Sequence, residues 1–183
     1  MKDKKYFDKN EENDMKMLYD FNIYTNLFSG LEPTEYSHFS DATAYTVSKF
    51  GEYRKYNIEI KKRNAVLLKN GKISGATFID DTIIIESHKA CDLMLDNING
   101  YEPLYINFLD NNVVVIYNLN KLSVRPTSMK KFIKSNGYQS FEIASRQGLN
   151  IKDAAIYKDY KLVKRIGEEW TKNLNQKTYI SNA

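Results

Sequence analysis

Helical periodicity marks the start of the chain. From about Asn10 to Phe28, the residues Met17, Phe21, Tyr24 and Phe28, with Leu18 beside them, fall on one side of a helix. A first amphipathic helix is therefore expected, ended by Gly30 and Pro33. After Pro33 the period drops to two: Ser37, Phe39, Asp41, Thr43, Tyr45 and Val47 would share one side of a strand. Gly51 offers a turn. Beyond it Tyr56, Ile58 and Ile60 fall on one face and Asn57, Glu59 and Lys61 on the other, so the apolar face is expected to meet the core.

Asn70-Gly71 between apolar stretches suggests a short hairpin or ordered loop within residues 65–80. Asp81 or Thr82 would cap a second helix running to about Ile98. Its apolar arc would be Ile84, Cys91, Met94, Leu95 and Ile98, with Ile83 and Ala90 at its edge and Gly100 as its stop. Leu104–Leu109 and Val113–Leu119 read as strands of a hairpin around Asp110-Asn111-Asn112. In the last third, Ser128–Lys134 reads as a short helix and Tyr157–Leu174 as a longer, lysine-rich one. The predicted order is α, about three β, α, β, β.

Composition narrows the class. With 183 residues, 42% of them hydrophobic and 27% charged, the chain is expected to fold as one domain over residues 1–183, with a core over about 10–119 and a C-terminal extension over 120–183. No apolar run has the roughly 18 residues that a membrane helix needs. The charged start MKDKKYFDKNEEND lacks the apolar stretch of a secretory signal, so a cytoplasmic location is expected. A lone cysteine, Cys91, leaves no internal disulfide or cysteine zinc cage, and only His38 and His88 supply imidazole. The net charge of +4 permits a polyanionic partner without requiring one.

Candidate chemistry lies on the polar face of the first hairpin. If its strands pair about Gly51 so that Asp41 opposes Lys61 and Thr43 opposes Glu59, all four side chains share a face. Asp41 and Glu59 then stand diagonally, close enough to converge on one ion. Two neighbouring carboxylates repel each other unless a cation fills the gap. Oxygen ligands without thiolate and with little imidazole suit Mg²⁺ or Mn²⁺, with Asp41, Glu59 and the backbone of Ile60 as the expected ligands. Lys61, on the same face, would stabilise charge developing on a phosphate.

Asp41 followed by Glu59-Ile60-Lys61 within NIEIKKRN resembles the core motif of PD-(D/E)xK nucleases, although the leading proline is absent. That superfamily includes restriction enzymes, archaeal Holliday-junction resolvases and phage recombination nucleases. The resemblance implies a restriction-endonuclease-like α/β fold: an αβββαβ core with a mixed central sheet flanked by helices. It covers roughly residues 10–119. Glu59, Lys61 and Arg63, followed downstream by Glu86 and Lys89 within IESHKACDL, look like small phage-type members of the group. Many members also carry a first-helix carboxylate, for which Glu11 and Asp14 are the candidates.

The resemblance implies a metal-dependent endonuclease acting on double-stranded or branched DNA. Its catalytic residues would be Asp41, Glu59, Lys61, Glu86 and Lys89, with Lys62 and Arg63 on the phosphates. Two cuts on a duplex would favour a homodimer.

Plainer readings compete. An E-x-K triplet is often a solvated strand face, and Glu86 with Lys89 is equally an exposed ion pair of helical spacing. His38 and His88 read as surface residues, Cys91 as core, and Trp170 and the tyrosines as packing. The lysines at 158, 161, 164, 172 and 177 read as a solvated basic helix. The functional rivals are a non-catalytic nucleic-acid-binding or interaction protein on the same fold, and a structural protein in which the motif is accidental.

Overall fold

In the computed structural model, residues 4–35, 38–75, 82–122, 130–135 and 141–166 are described. Helix α1 spans Lys4–Thr25. Leu18 and Phe21 are its fully buried anchors, whereas Tyr24, expected on the same face, is 68% exposed. Asn26 ends the helix in a left-handed conformation. Asn22 then holds the returning chain, accepting from Phe28 N at 2.7 Å and donating to Phe28 O at 3.2 Å. Phe28 is thus buried from beyond the helix rather than on it.

Gly30–Pro33, expected as a helix stop, is strand β1, and β2 (Ala42–Val47) and β3 (Tyr53–Arg63) follow it as an antiparallel meander. Ser37 lies outside the described residues. The β2–β3 register pairs Ala42 with Ile58 and Thr43 with Asn57. Asp41 lies just before this ladder with its N–H on Ile58 O, so it does not oppose Lys61, and Thr43 does not oppose Glu59. The turn runs over residues 48–52, with Ser48 N bonded to Glu52 O at 2.9 Å and Gly51 at φ 80°. It is centred one residue earlier than expected. That moves the register by two, an even slip that leaves the paired side chains of β2 and β3 on their expected faces.

β4 (Ala65–Leu67) and β5 (Ile73–Gly75) form the small hairpin expected around Asn70-Gly71. The expected helix at 81–98 is a strand followed by a shorter helix: β6 is Thr82–Glu86 and α2 is Ser87–Leu95. Three consecutive β-branched isoleucines favour extension, and their alternation buries Ile83 and Ile85. Helix α2 buries Ser87, Ala90 and Leu93, so Cys91 is exposed and not core; Leu95 and Ile98 are exposed as well. β7 (Tyr101–Leu109) and β8 (Val113–Asn118) are the expected hairpin, pairing Leu109 with Val113.

The last third departs furthest from the expected helices. β9 (Lys130–Ser135) stands where a helix was expected, and it pairs with β10 (Phe141–Asn150), which also pairs with β6. The expected lysine-rich helix begins instead as β11 (Ala154–Lys158) and β12 (Lys161–Lys164). Lys172, Lys177 and Trp170 lie outside the described residues.

The architecture is α/β with a mixed central sheet, ordered β1-β2-β3-β7-β8-β11-β12. β3 and β7 run parallel, joined by a crossover through β6 and α2. The even-numbered side of β3 packs on α1: Ile58, Ile60, Leu104, Ile106 and Val114 close over Leu18 and Phe21. The opposite side is also covered, because Tyr105, Val115 and Tyr117 pack with Ile83, Ile85, Leu93 and Leu149. Glu59 and Asn57 are therefore buried on a face expected to be open. None of the described helices is long and apolar enough to cross a membrane.

Lys164 is buried, not part of a solvated helix, and its ammonium donates to the carbonyls of Lys152, Ala154 and Arg165 at 2.9–3.1 Å. Lys164→Met would strand those acceptors. A loss of about 1–3 kcal/mol is expected, read as a lower urea midpoint at unchanged slope.

Candidate functional site

The polar cluster forms where β2 begins. Asp41 N donates to Ile58 O at 2.9 Å, and Asp41 Oδ2 accepts from Ile60 N at 2.6 Å. The carboxylate thus takes the place of a ladder partner just beyond the end of β2. The N–H and C=O of one strand residue point to the same edge, so the Ile60 carbonyl also faces this side. Glu59 is on the adjacent β3 and is fully buried.

Two ammonium groups meet Glu59. Lys61 Nζ lies 2.8 Å from Oε1, and Lys89 Nζ lies 3.3 Å from Oε2. Lys89 also donates to Phe39 O at 3.3 Å, which ties α2 to the segment leading into Asp41. The Lys61 contact is an ion pair at hydrogen-bonding distance, so the ammonium compensates Oε1. Asp41 is pushed up from 3.8 to about 6, first by burial, then by the Glu59 charge; the Ile60 N–H, Lys61 and Lys89 oppose the rise. Burial pushes the Lys61 ammonium down, but Glu59 and Asp41 reverse this, and its net displacement is upward.

Glu59, Lys61, Arg63, Glu86 and Lys89 all line one cavity of about 210 Å³ with Tyr105. The sequence pattern thus converges in space, although not as expected: Glu86 ends β6 and precedes α2, so it and Lys89 are not two positions of one helix. His88 Nε2 lies 3.6 Å from a Glu86 oxygen. Arg63 is committed within the protein: Nε donates to Asn107 Oδ1 at 3.1 Å, and Nη2 donates to Ile84 O at 2.7 Å and to the Tyr105 hydroxyl. Lys62 projects to the other side of the sheet, in a separate hollow with Met17 and Phe108.

Asp41 also borders a larger cavity of about 530 Å³, shared with Asp14, Tyr19, Thr34, His38 and Ser40. Of the two first-helix candidates, Asp14 reaches this cavity; the Glu11 side chain lies outside the described residues. His38 Nδ1 accepts from Ser40 N at 3.3 Å and contacts Ser40 Oγ at 2.9 Å, which orients the ring locally.

Sequence reasoning missed Tyr105 and Asn107. Each sits beside the site because the parallel register aligns Glu59 with Tyr105 and Lys61 with Asn107. Asn107 is fully buried and its Nδ2 has no acceptor among the described residues. No local pattern signals either residue, since parallel partners lie far apart in the chain.

The donor set fits a hard divalent cation. The half-buried Asp41 carboxylate stands within electrostatic reach of the buried Glu59, and its raised proton affinity reflects burial and that neighbour, a strain that a cation between them would relieve. No group of three or more His, Cys, Asp or Glu side chains among the described residues is placed to hold a metal. A magnesium site needs no such cage, because that ion keeps waters and binds through one or two carboxylates with a phosphate. No protein-family model, curated protein or solved structure matches this chain, so the geometry alone carries the functional reading.

Proposed function

We propose that this chain is a Mg²⁺- or Mn²⁺-dependent nuclease of the PD-(D/E)xK type that hydrolyses phosphodiester bonds in DNA. The observation that carries the reading is the nearness of Asp41, at the mouth of β2, to Glu59 and Lys61 on β3, with Lys89 beside them. Element order supports it as well. Helix α1, the β1-β2-β3 meander, α2 and a strand parallel to β3 follow the αβββαβ order of that superfamily, with β4, β5 and β6 added before α2.

Asp41, Glu59 and the Ile60 carbonyl would hold the ion. When bound, a divalent cation supplies polarisation of the phosphate and a water acidified for in-line attack. Lys61, 44% exposed at its side chain, turns from Glu59 toward the phosphate and offsets charge developing there. Lys89 stays on Glu59 Oε2 and Phe39 O, keeping the acidic strand and the Asp41 segment in register. Arg63 and Tyr105 brace the cavity wall, and Glu86 lines its rim.

One observation favours a non-catalytic nucleic-acid-binding protein on this fold: Glu59 is already neutralised by two ammonium groups. Calorimetric titration with Mn²⁺ separates the two readings. The nuclease reading expects carboxylate-dependent binding that Glu59→Gln weakens at least ten-fold, together with Mg²⁺-dependent cleavage of linear or branched DNA. Neither metal binding nor cleavage of any DNA form would remove it.

A further inference from the structure

The face that bears Glu59 and Lys61 does not end at the cavity. Odd-numbered residues of β2 and β3 share it, so it continues through Thr43 and Asn57 to Tyr45, Val47, Tyr53 and Lys55, joined by Tyr101 from β7. The covering layer stops near Asn57, whose amide donates to Asp96 at the end of α2. Past that point no described element covers the face: Tyr53 is 55% exposed, and Phe50, at the turn, is 81% exposed.

The rings there are ordered. Tyr45 and Tyr53 stack with centroids 5.2 Å apart and planes 29° from parallel. Gly30 on β1 makes room for Tyr45, since a Cβ at that position would collide with its ring. Lys55 Nζ lies between two faces, 6.0 Å from the Tyr53 ring and 5.4 Å from the Tyr101 ring, and Lys49 Nζ lies 5.0 Å from the Phe50 ring.

Two lysines stand among the rings, and Asp96 is set back on the Asn57 amide. Lys55 stands on the face and Lys49 at the turn, whereas the acid Glu102 is turned to the other side with Arg54 at 3.7 Å. Glu32 stands opposite Thr43, toward Asp41, and Glu52 lies in the turn. Exposed rings of Tyr53 and Phe50 and half-buried rings of Tyr45 and Tyr101, set beside lysines, suit stacked bases and the phosphates between them; an apolar protein partner would leave the two ammonium groups to be desolvated.

We propose that Tyr45, Tyr53 and Tyr101, with Lys55, Lys49 and Phe50, form a stacking platform for unpaired bases of single-stranded DNA. Lys55 is four residues from Glu59, about 13 Å along the strand, so the platform would hold the strand a short way from the cleavage site. Its link to cutting rests on the nuclease reading; its binding does not. A substrate with an unpaired segment beside the cut is the class selected.

The test is anisotropy of labelled oligo-dT and of a blunt duplex with the full chain in EDTA, where no cleavage occurs. Oligo-dT is expected to bind more tightly. Tyr53→Ala and Phe50→Ala should each weaken it roughly five-fold or more, with Tyr53→Phe retaining affinity. Gly30→Ala, which displaces Tyr45 with its ring intact, should weaken it too. Lys55→Ala should lower the salt slope by about one. Equal affinity for both probes, or oligo-dT binding unmoved in Phe50→Ala, whose exposed side chain has little part in folding, would overturn the platform. With Mg²⁺ restored, platform-dependent binding without cleavage supports the platform and sinks the nuclease reading. Cleavage of a single strand unaltered by Phe50→Ala and Tyr53→Ala sinks the platform alone.

Discussion

Asp41→Asn is expected to abolish metal-dependent cleavage and, at the same time, to make the metal-free protein more stable at pH 7. The aspartate holds its proton to about pH 6 in the folded state against an ordinary 3.8. Between those values the folded chain carries more protons than the unfolded one, so stability falls as pH rises through this window. The gap corresponds to at most about 3 kcal/mol at neutral pH. Asparagine keeps an oxygen for the Ile60 N–H and removes the charge that burial and Glu59 oppose.

A gain of about 1–3 kcal/mol is expected in urea melts at pH 7, with the decline in stability between pH 4 and 6 flattened. Mn²⁺ should raise the melting temperature of the wild-type chain, because an ion that binds only the folded state stabilises it by mass action, and should leave that of Asp41→Asn unchanged. Undiminished cleavage by Asp41→Asn would remove this carboxylate from the mechanism. Unchanged stability would show that its charge is not strained.

Lys61 and Lys89 are expected to be strongly coupled through Glu59. Removing one partner of a buried ion pair costs about 3–5 kcal/mol when nothing replaces it. Here each lysine backs up the other on a separate oxygen of the same carboxylate. Lys61→Met or Lys89→Met alone should therefore cost less, about 1–2 kcal/mol, and the pair should cost more than the sum of the two. Adding Glu59→Gln to the double variant should recover most of that loss, since the fully buried carboxylate is then no longer charged.

Activity divides the lysines differently. Lys61→Met should reduce cleavage on the order of 10²–10³-fold through loss of charge at the phosphate. Lys89→Met should act more weakly, through looser metal binding. Simple additivity of the two lysine substitutions in denaturant melts would show that they do not share Glu59. The Lys61 proton affinity is raised on folding, so its contribution persists through neutral pH and is lost only when alkaline conditions remove the proton.

Some of this site was legible in the primary structure. The alternation around Ile58 and Ile60 assigned Glu59 and Lys61 to one face, and the even slip of register left that face intact. The β7–β8 hairpin and the Asn70-Gly71 turn were also readable, because each is decided by residues a few positions apart. The run Ile83–Ile85 was misread because a short apolar stretch has no periodicity that separates strand from helix until its partner is known, and that partner, β10, lies some sixty residues on. Tyr157–Lys164, expected to begin a helix, is strand for the same reason: pairing of β11 with β8 and of β12 with β11 overrides local preference.

What the order of residues determined by itself was chemical identity and parity: which acids and lysines exist, and which side of a strand each occupies. Only tertiary structure decided that this side would be closed over by β6 and α2. That closure buries Glu59 between two ammonium groups, raises the proton affinity of Asp41, and stops short of the Tyr45–Tyr53 end. The physical reason is that burial, and with it the dielectric around each charge, depends on what packs from elsewhere in the chain, which no local pattern contains.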